Sequence, residues 1–304
     1  MQKAIVTGGA GFIGSNLVDR LVKDGFDVIV IDNESAECNE QFYYNNEAQY
    51  FKYDIEDYDL IEPLFKGVDY VFHLAAESRI QPTLDRPVKA CMTNIIGTCN
   101  VLEASRRNDI KRVMYSSTSS AYGLKNSIPL RESMHRDCLN PYSVTKAAAE
   151  DLCKMYYTLY GLETVIFRYF NVYGERQPLK GQYAPVVGLF LEMKKVGSPM
   201  TVVGDGKQTR DYTYVGDVVE ANLLAMKTEN KNNISEIFNV GTGTHHSVLD
   251  LVEMIGGDHI HLPSRNGEAR HTLADNAKIM LDLDWEPKQT IENWISNYKK
   301  EHKI

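Results

Sequence analysis

The sequence has little of what marks secreted, metal-binding or membrane proteins. Its five cysteines are odd in number and none is spaced as C-x-x-C, which argues against a disulfide framework and a zinc site. No apolar run approaches the roughly 18 residues needed to cross a bilayer. Met1, Gln2 and Lys3 lead directly into a strand-like segment, without a signal peptide. We therefore expect a cytoplasmic protein with no metal site and no membrane partner.

Positive charge is also scarce. Lys and Arg number 33 against 41 Asp and Glu, so the formal net charge is −8 at pH 7. A surface of this sign argues against nucleic acid or an anionic membrane as the main partner. Internal repeats and low-complexity tracts are missing as well. With 304 residues, 43% of them hydrophobic, the chain can form one large domain or two closely packed ones.

Strand-like and helix-like segments alternate along the chain. Asp27–Ile31 is a continuous apolar run, as expected for a strand with helices on both faces. The other predicted strands are Lys3–Thr7, Tyr50–Tyr53, Tyr70–Leu74, Arg112–Ser116, Thr164–Phe170 and Ile237–Val240, and the longer predicted helices are Phe12–Lys23, Val88–Arg107 and Pro141–Tyr160. Repeated β–α–β units predict an α/β fold of the Rossmann type with a doubly wound parallel sheet.

The chain changes character after Asn171. Pro and Gly become more frequent, and the alternation is less regular up to about Val203. We therefore predict a first domain at residues 1–170 and a smaller α/β substrate-binding lobe at residues 171–304 that covers the open crevice of the sheet. A strand and a helix near residues 212–242 are expected to return to the first domain.

Glycines follow the first predicted strand at once. Thr7–Gly14 contains both G-x-G-x-x-G and G-x-x-G-x-x-G, between a strand and a helix. This placement lets the backbone approach a pyrophosphate at the helix N-terminus, although a purely structural turn is the alternative. Roughly 18 residues further on, Asp32 ends the next strand, near the spacing of a carboxylate that binds the adenosine ribose. Because Asp32 and Glu34 would repel a 2′-phosphate, the sequence favours NAD over NADP.

Tyr142 and Lys146 are four residues apart in a predicted helix, so they share a face. An ammonium beside a phenol stabilises the phenolate and lowers the tyrosine pKa from about 10. Tyr142 is therefore a candidate general base for a hydroxyl proton. The hydroxyl residues of Tyr115–Ser120 follow a strand at the edge that borders the crevice. Taken singly, the Tyr142–Lys146 pair could instead lie on a solvated helix face, and the hydroxyl residues could form a serine-rich turn.

Six short motifs occur in order along the chain. They are T-G-G-A-G-F-I-G (Thr7–Gly14), H-L-A-A (His73–Ala76), S-S-T (Ser116–Thr118), Y-S-V-T-K (Tyr142–Lys146), R-Y-F-N-V-Y-G (Arg168–Gly174) and R-D-Y-T-Y-V (Arg210–Val215). With these motifs the chain resembles the extended short-chain dehydrogenases/reductases that act on nucleotide sugars. The resemblance is greatest to the UDP-hexose and UDP-N-acetylhexosamine 4-epimerases, and it spans Lys3 to about Trp285.

The resemblance implies a role for each matching residue. Tyr142 would be the catalytic base, Lys146 would lower its pKa and bind the nicotinamide ribose, and Thr118 would be the catalytic hydroxyl. The implied NAD-binding residues are Gly8, Gly11, Phe12, Ile13, Gly14, Asp32, Asn33, Asp54, Ile55, Leu74, Ala75, Ala76, Ser116, Tyr142 and Lys146. The implied substrate-binding residues are Thr118, Tyr142, Asn171, Arg210, Arg265 and Thr272, with both arginines on the diphosphate. The resemblance also implies a homodimer built on the two long helices.

The implied reaction is NAD-dependent C4 epimerisation of a UDP-hexose through a 4-keto intermediate. Related 4,6-dehydratases carry Asp-Glu directly after the catalytic Thr, and related decarboxylases usually carry Glu at the second of these positions. Here the two residues are Ser119 and Ser120, so chemistry at C5 or C6 lacks its acid and base. Thr272 lies where glucose-specific epimerases carry a bulky residue. A small residue there leaves room for an acetamido group, so UDP-GlcNAc and UDP-GalNAc are expected substrates as well.

Several other functions stay open at this point. One is a UDP-glucuronate 4-epimerase, which a basic side chain at the sugar's C6 carboxylate would indicate. Another is a different NAD-dependent sugar-nucleotide oxidoreductase or dehydratase. An amino-alcohol dehydrogenase such as threonine dehydrogenase fits the motif at Arg168–Gly174 poorly. The intact set of Thr118, Tyr142 and Lys146 argues against a non-catalytic dinucleotide sensor.

Overall fold

The computed structural model of the chain describes residues 1–36, 39, 41–179, 184–264 and 269–304. Within these residues the strands are β1 (Lys3–Thr7), β2 (Asp27–Ile31), β3 (Gln49–Phe51), β4 (Tyr70–His73), β5 (Arg112–Thr118), β6 (Thr164–Tyr169), β7 (Val172–Tyr173), β8 (Met200–Val203), β9 (Thr209–Arg210), β10 (Thr213–Tyr214), β11 (Ile237–Val240), β12 (His246–Ser247) and β13 (His259–Leu262). The α-helices are α1 (Phe12–Lys23), α2 (Tyr58–Ile61), α3 (Ile80–Asp85), α4 (Pro87–Cys91), α5 (Thr98–Arg107), α6 (Pro141–Tyr160), α7 (Val186–Lys195), α8 (Val215–Lys227), α9 (Val248–Ile255), α10 (Ala277–Leu283) and α11 (Ile291–His302). In these ranges no helix is long and apolar enough to cross a membrane.

The main sheet has seven parallel strands in the described part of the chain, in the order β11–β6–β5–β4–β1–β2–β3. The chain builds outwards from β1 through β2 to β3, and then crosses back to place β4 on the other side of β1. This reversal opens a crevice at the carboxyl ends of β1 and β4. The predicted Rossmann-type, doubly wound α/β fold is confirmed.

Successive residues of a central strand pack into different layers. In β1, Ala4 and Val6 belong to a hydrophobic cluster with α1 and α8, whereas Ile5 belongs to one with α5 and α6. All three side chains are fully buried. Because helices cover both faces of the sheet, neither face requires polar residues, which explains the continuous apolar runs in the sequence.

A third hydrophobic cluster lies apart from the main sheet. Helices α7, α9 and α11 and strand β8 supply its buried side chains, among them Phe190, Leu251 and Trp294. By contrast, α8, β11 and α10 contribute to the layer on the main sheet, so the later part of the chain returns to that sheet twice. The division into a domain at residues 1–170 and a lobe at residues 171–304 stays a prediction.

Helix α6 begins and ends where the sequence predicts. The Asn140 side chain accepts a hydrogen bond from the backbone N–H of Ser143 at 2.9 Å, and the Ser143 hydroxyl accepts one from the N–H of Asn140 at 3.3 Å. Pro141 occupies the first turn, where its missing N–H costs nothing. Gly161 ends the helix with a left-handed φ of 73°. These caps fix the turn that carries Tyr142.

The helix predicted over Val88–Arg107 is interrupted in the structure. Between α4 and α5 the backbone forms π-helical turns at Met92–Gly97. Asn94 in this segment accepts from the N–H of Glu77 at 2.8 Å and donates to its carbonyl at 3.1 Å and to the Thr145 hydroxyl at 2.9 Å. The π segment therefore ties the loop after β4 to α6. The prediction missed it because a single wider turn leaves the apolar periodicity nearly unchanged.

Buried His73 connects β4 with β1 and α5. Its Nδ1 lies 2.7 Å from the Thr7 hydroxyl, and its Nε2 lies 2.9 Å from the Thr98 hydroxyl. Because Thr98 donates its proton to the carbonyl of Asn94 at 2.7 Å, it accepts one from Nε2–H, and Nδ1 accepts from Thr7. Burial, with a smaller effect of the Lys146 charge, lowers the pKa of His73 to about 3. The imidazole is therefore neutral in the folded protein.

We predict that acid destabilises the protein partly through His73. Its pKa is about 3 in the folded state and near the ordinary 6.5 in the unfolded state. Between these values the unfolded state binds more protons, so the free energy of unfolding falls as the pH falls below 6.5, by roughly 2 kcal/mol down to about pH 5. Urea unfolding at about pH 7.5 and about pH 5 should show a loss smaller by that amount in His73→Gln.

Replacing the exposed His259 by Gln is the matched control, and this variant should keep the wild-type loss. An equal loss in wild type and His73→Gln would show that His73 does not carry this pH dependence.

Candidate active site

The carboxyl ends of β1, β2, β4 and β5 open into one cleft of about 570 Å³. Every site residue that the sequence analysis names lines this cleft, except Arg265, which lies outside the described residues. The fold thus brings the glycine turn, Asp32, Tyr142 and Lys146 together from distant parts of the chain. The roles of the individual residues stay predictions.

Close backbone approaches explain the glycines after β1. Gly8 has a φ of +71°, and a Cβ there would lie 2.7 Å from the backbone nitrogen of Ala75. A Cβ on Gly14 would lie 2.1 Å from the carbonyl oxygen of Gly8. At Gly11, just before α1, the nearest atom to a Cβ would be 3.5 Å away. The bare backbone at the N-terminus of α1 fits a pyrophosphate, whose oxygens accept from N–H groups there.

Asp32 ends β2 with both carboxylate oxygens hydrogen-bonded. Oδ2 accepts from the N–H of Ala10 at 3.0 Å, and Oδ1 accepts from the N–H of Glu34 at 2.8 Å. Burial raises the pKa of Asp32. The Glu34 carboxylate accepts from the Tyr44 hydroxyl at 2.7 Å and pairs with Lys52 at 2.6 Å. Since Lys52 offsets the charge of Glu34, Asp32 is left as the main group to oppose a 2′-phosphate.

Asp54 and Ile55 line the cleft beside Asn33. The Asp54 carboxylate accepts from the Asn33 amide at 2.8 Å and from Lys89 at 3.3 Å. Burial works against its ionisation, but hydrogen bonds from the N–H of Glu56 and from Asn33 bring the pKa of Asp54 below its ordinary value. The carboxylate is therefore charged and held in place by the protein's own donors.

Thr118 and Tyr142 meet where β5 ends and α6 begins. Both side chains line the cleft, and the Thr118 hydroxyl is near enough to act on the phenol of Tyr142. Burial raises the pKa of Tyr142, while the neighbouring Thr118 hydroxyl and the charge of Arg79 act in the opposite direction. The net direction is the reverse of the expected lowering by Lys146. The reason is that the partly buried phenol loses hydration, which penalises the charged phenolate.

The surroundings of Lys146 change the pKa of its amine. Its ammonium nitrogen lies 4.3 Å from the centroid of the Tyr115 ring. Burial lowers the pKa of Lys146 to about 7, so the amine is only partly protonated at neutral pH. A partly neutral amine stabilises a phenolate less than the full ammonium assumed from the sequence.

A buried ion pair holds α6 against β5 and β6. Arg168 donates to the Glu150 carboxylate at 2.9 and 2.7 Å, and the Ser117 hydroxyl donates to the same carboxylate at 2.6 Å. The side chains of Arg168 and Glu150 are 2% and 1% exposed. Removing either partner would leave a buried charge unpaired, so the pair fixes the position of the helix that carries Tyr142.

The opposite wall of the cleft comes from the later part of the chain. Asn171, with a φ of +24°, donates to the carbonyl of Asp211 at 2.9 Å and to the Thr272 hydroxyl at 3.4 Å. The buried carboxylate of Asp211 accepts from the N–H of Ala274 at 3.1 Å. These bonds join the segment of Arg210 to the segment of Thr272, so both face the cleft.

Sequence reasoning missed two residues that matter to this site. Arg79 lines the cleft near Tyr142, and Asn94 anchors the loop that carries Arg79. In the sequence, Arg79 is a single arginine after a strand and Asn94 is a single amide in an apolar helical run. Both patterns are as typical of surface positions as of functional sites. Among the described residues, no group of three or more His, Cys, Asp or Glu side chains is placed to hold a metal ion.

One edge of the parallel sheet carries a glycine turn, a carboxylate after β2, and the side chains of Thr118, Tyr142 and Lys146. This combination defines a dinucleotide-dependent enzyme of the extended short-chain dehydrogenase/reductase class. The model of the NAD-dependent epimerase/dehydratase family matches residues 4–241. A putative UDP-glucose 4-epimerase of Methanocaldococcus jannaschii is 39% identical over 96% of this chain and 98% of its own length.

Two solved structures extend the comparison over 99% of this chain and of each neighbour. The UDP-glucose 4-epimerase of Thermotoga maritima with UDP-glucose has a TM-score of 0.91 at 36% identity. The UDP-glucuronic acid 4-epimerase of Bacillus cereus in complex with UDP-glucuronic acid and NAD has a TM-score of 0.87 at 31% identity. The chain belongs to the NAD-dependent epimerase/dehydratase family. The predicted family and the predicted cofactor, NAD, are confirmed.

We predict that two glycines of the turn respond differently to substitution. Gly14→Ala places a Cβ 2.1 Å from the Gly8 carbonyl, so it should lower the melting temperature of the NAD-free protein. Gly11→Ala has room in the protein and should keep the melting temperature. Its methyl group should nevertheless obstruct the pyrophosphate and weaken NAD binding about tenfold or more, about 1.4 kcal/mol. Calorimetry of NAD binding and thermal unfolding separate the two effects, and wild-type NAD affinity in Gly11→Ala would contradict this placement.

Proposed function

We propose that this enzyme epimerises UDP-hexoses at C4, with UDP-glucose and UDP-galactose as one substrate pair. The observation that carries the proposal is that Thr118 and Tyr142 line one cleft, with Ser119 and Ser120 directly after Thr118. Ser119 and Ser120 both line the cleft, at the two positions where related dehydratases carry Asp and Glu. Hydroxyls cannot supply the acid and base needed at C5 and C6, whereas C4 chemistry needs only the Thr118–Tyr142 pair.

The chain's own residues bind, orient and move a proton. Tyr142, as phenolate, accepts the proton of the 4-hydroxyl, and Thr118 donates a hydrogen bond to the same sugar oxygen. Because burial raises the pKa of Tyr142, nearby positive charge is needed to form the phenolate, and Arg79 supplies part of it. NAD held by the glycine turn, Asp32 and Lys146 would supply reversible hydride transfer at C4. Tyr142 then returns the proton to the C4 oxygen.

Binding is assigned to the two walls of the cleft. On the first wall, the glycine turn would hold the NAD pyrophosphate, Asp32 the adenosine ribose and Lys146 the nicotinamide ribose. On the second wall, Asn171 and Arg210 would hold the substrate diphosphate. An anchored nucleotide lets the sugar turn between the two hydride transfers without leaving the site, because the binding energy of the remote diphosphate is used for positioning.

We also propose that the chain forms a homodimer through its long helices. Val88, Met92 and Ile96 are 74%, 40% and 46% exposed, and they lie four residues apart along the helical segment from α4 into the π turns. On α6, Leu159 is 65% exposed. An apolar stripe of this kind is typical of a surface that a second copy covers.

The test is turnover of UDP-glucose, UDP-GlcNAc and UDP-glucuronate, each incubated separately with the NAD-loaded protein and followed by NMR. We predict that the C4 epimer forms without net production of NADH. Tyr142→Phe lacks the proton acceptor, so it should lower kcat by roughly 10² to 10⁴ while still binding the nucleotide sugar. Net NADH production from an amino alcohol, with no epimer from any nucleotide sugar, would contradict the proposal.

We further predict that Thr272 decides access for N-acetylated sugars. The Thr272 side chain lines the cleft, and its hydroxyl lies 3.4 Å from the Asn171 amide. A larger side chain at position 272 would therefore extend into the space for the substrate. Thr272→Tyr should lower kcat/KM for UDP-GlcNAc by roughly 10-fold or more relative to UDP-glucose, because the acetamido group needs this room. Thr272→Ser is the matched control and should leave the ratio unchanged. An equal loss for both sugars would show that position 272 does not select the substituent.

A further inference from the structure

Arg79 is a cleft residue that the proposed reaction leaves without a bound partner. It follows β4, directly precedes α3, and lines the cleft together with Thr118 and Tyr142. Its Nε is buried, and in the described part of the chain it has no hydrogen-bond acceptor. A buried N–H of a charged group is costly to leave without an acceptor. A bound ligand would supply the missing acceptor.

The loop that carries Arg79 is held in place. The Asn94 side chain bonds both the N–H and the carbonyl of Glu77, at 2.8 and 3.1 Å. The same amide donates to Thr145 on α6, next to Lys146, at 2.9 Å. Since Glu77 lies two residues before Arg79, the guanidinium is presented to the cleft by a fixed backbone.

Arg79 lines the same cleft as Tyr142. Its charge acts on Tyr142, the group proposed to take the proton from the 4-hydroxyl. The groups closest to that hydroxyl in a hexose are the substituents on C3 and on C5. A sugar group that reaches Arg79 beside Tyr142 would accordingly belong to one of these two neighbours of C4.

The chemistry of a guanidinium favours a carboxylate as this acceptor. Arginine stays charged at every physiological pH, and its planar fork pairs with both oxygens of a carboxylate. Lys146, the other cation near Tyr142, is only partly charged, with a pKa of about 7. Among the described residues no protein carboxylate forms an ion pair with Arg79, so an anionic substituent would supply the missing counter-charge.

We propose that Arg79 is a specificity-determining residue that binds a carboxylate in the substituent of C3 or of C5, the two carbons next to C4, so that acidic UDP-sugars are preferred over their neutral counterparts. The carboxylate is either the C6 group of a hexuronate or part of an ether substituent on O3. This assignment rests on the proposed C4 epimerisation at Tyr142 and names the substrate class of that same site.

The test compares two matched pairs of substrates. UDP-glucuronate is measured against UDP-glucose for a carboxylate at C6, and UDP-N-acetylmuramic acid against UDP-GlcNAc for one on the O3 substituent. For each pair the readout is the ratio of kcat/KM, acidic over neutral, in the NAD-loaded protein. Using a ratio cancels the general effect of Arg79 on Tyr142, which changes both members of a pair alike.

Wild type should prefer the acidic member of at least one pair. Arg79→Gln should lower that ratio about 10- to 100-fold, the range for losing a hydrogen bond to a charged group. Arg79→Lys should lower it less, since it keeps the charge and loses the fork. Arg86→Gln, at an exposed arginine that follows α3, is the matched control and should keep the wild-type ratio. The pair whose ratio falls identifies where the carboxylate lies.

Equal losses for acidic and neutral sugars in Arg79→Gln, or a wild-type preference for the neutral member of both pairs, would overturn the assignment while C4 epimerisation stands. If no sugar is epimerised, the proposed function fails. The assignment of Arg79 is then tested by measuring the binding of the sugars. Calorimetry with Tyr142→Phe should show tighter binding of an acidic sugar than of its neutral partner. That preference should vanish in Tyr142→Phe/Arg79→Gln, and its persistence there would overturn the assignment.

Discussion

The structure depends on how closely the backbone after β1 can approach its neighbours. Gly14 lies against the carbonyl of Gly8, and Gly8 lies against the backbone of Ala75 after β4. These contacts leave no space for a Cβ at either glycine. They set the start of α1 and place the ends of β1 and β4 side by side. The cleft exists because two strand ends and a helix end converge where there are no side chains to separate them.

Burial is the second determinant, and it acts on the charges of the site. It raises the pKa of Tyr142, lowers that of Lys146 to about 7 and lowers that of His73 to about 3. In each case the charged form loses hydration that the protein does not fully replace. Positive charge near Tyr142 therefore favours the phenolate, and Arg79 contributes such charge.

Single polar side chains carry most of the long-range connections in the site. Asn94 joins the loop after β4 to α6, and Asp211 joins two segments of the second wall of the cleft. Glu150 and Arg168 hold α6 to the sheet. A buried polar side chain is costly unless all of its hydrogen-bond partners are present. Each of these residues therefore holds several segments in one arrangement.

The sequence by itself determined the parallel α/β sheet and the position of α6, because local periodicity and glycine spacing act over a few residues. Its six short motifs carried the resemblance to the family and to its use of NAD. Only the tertiary structure decided the π turns around Asn94, the raised pKa of Tyr142 and the position of Arg79 in the cleft. These depend on burial and on contacts between segments distant in the chain. An isolated Asn or Arg in the sequence carries no record of either.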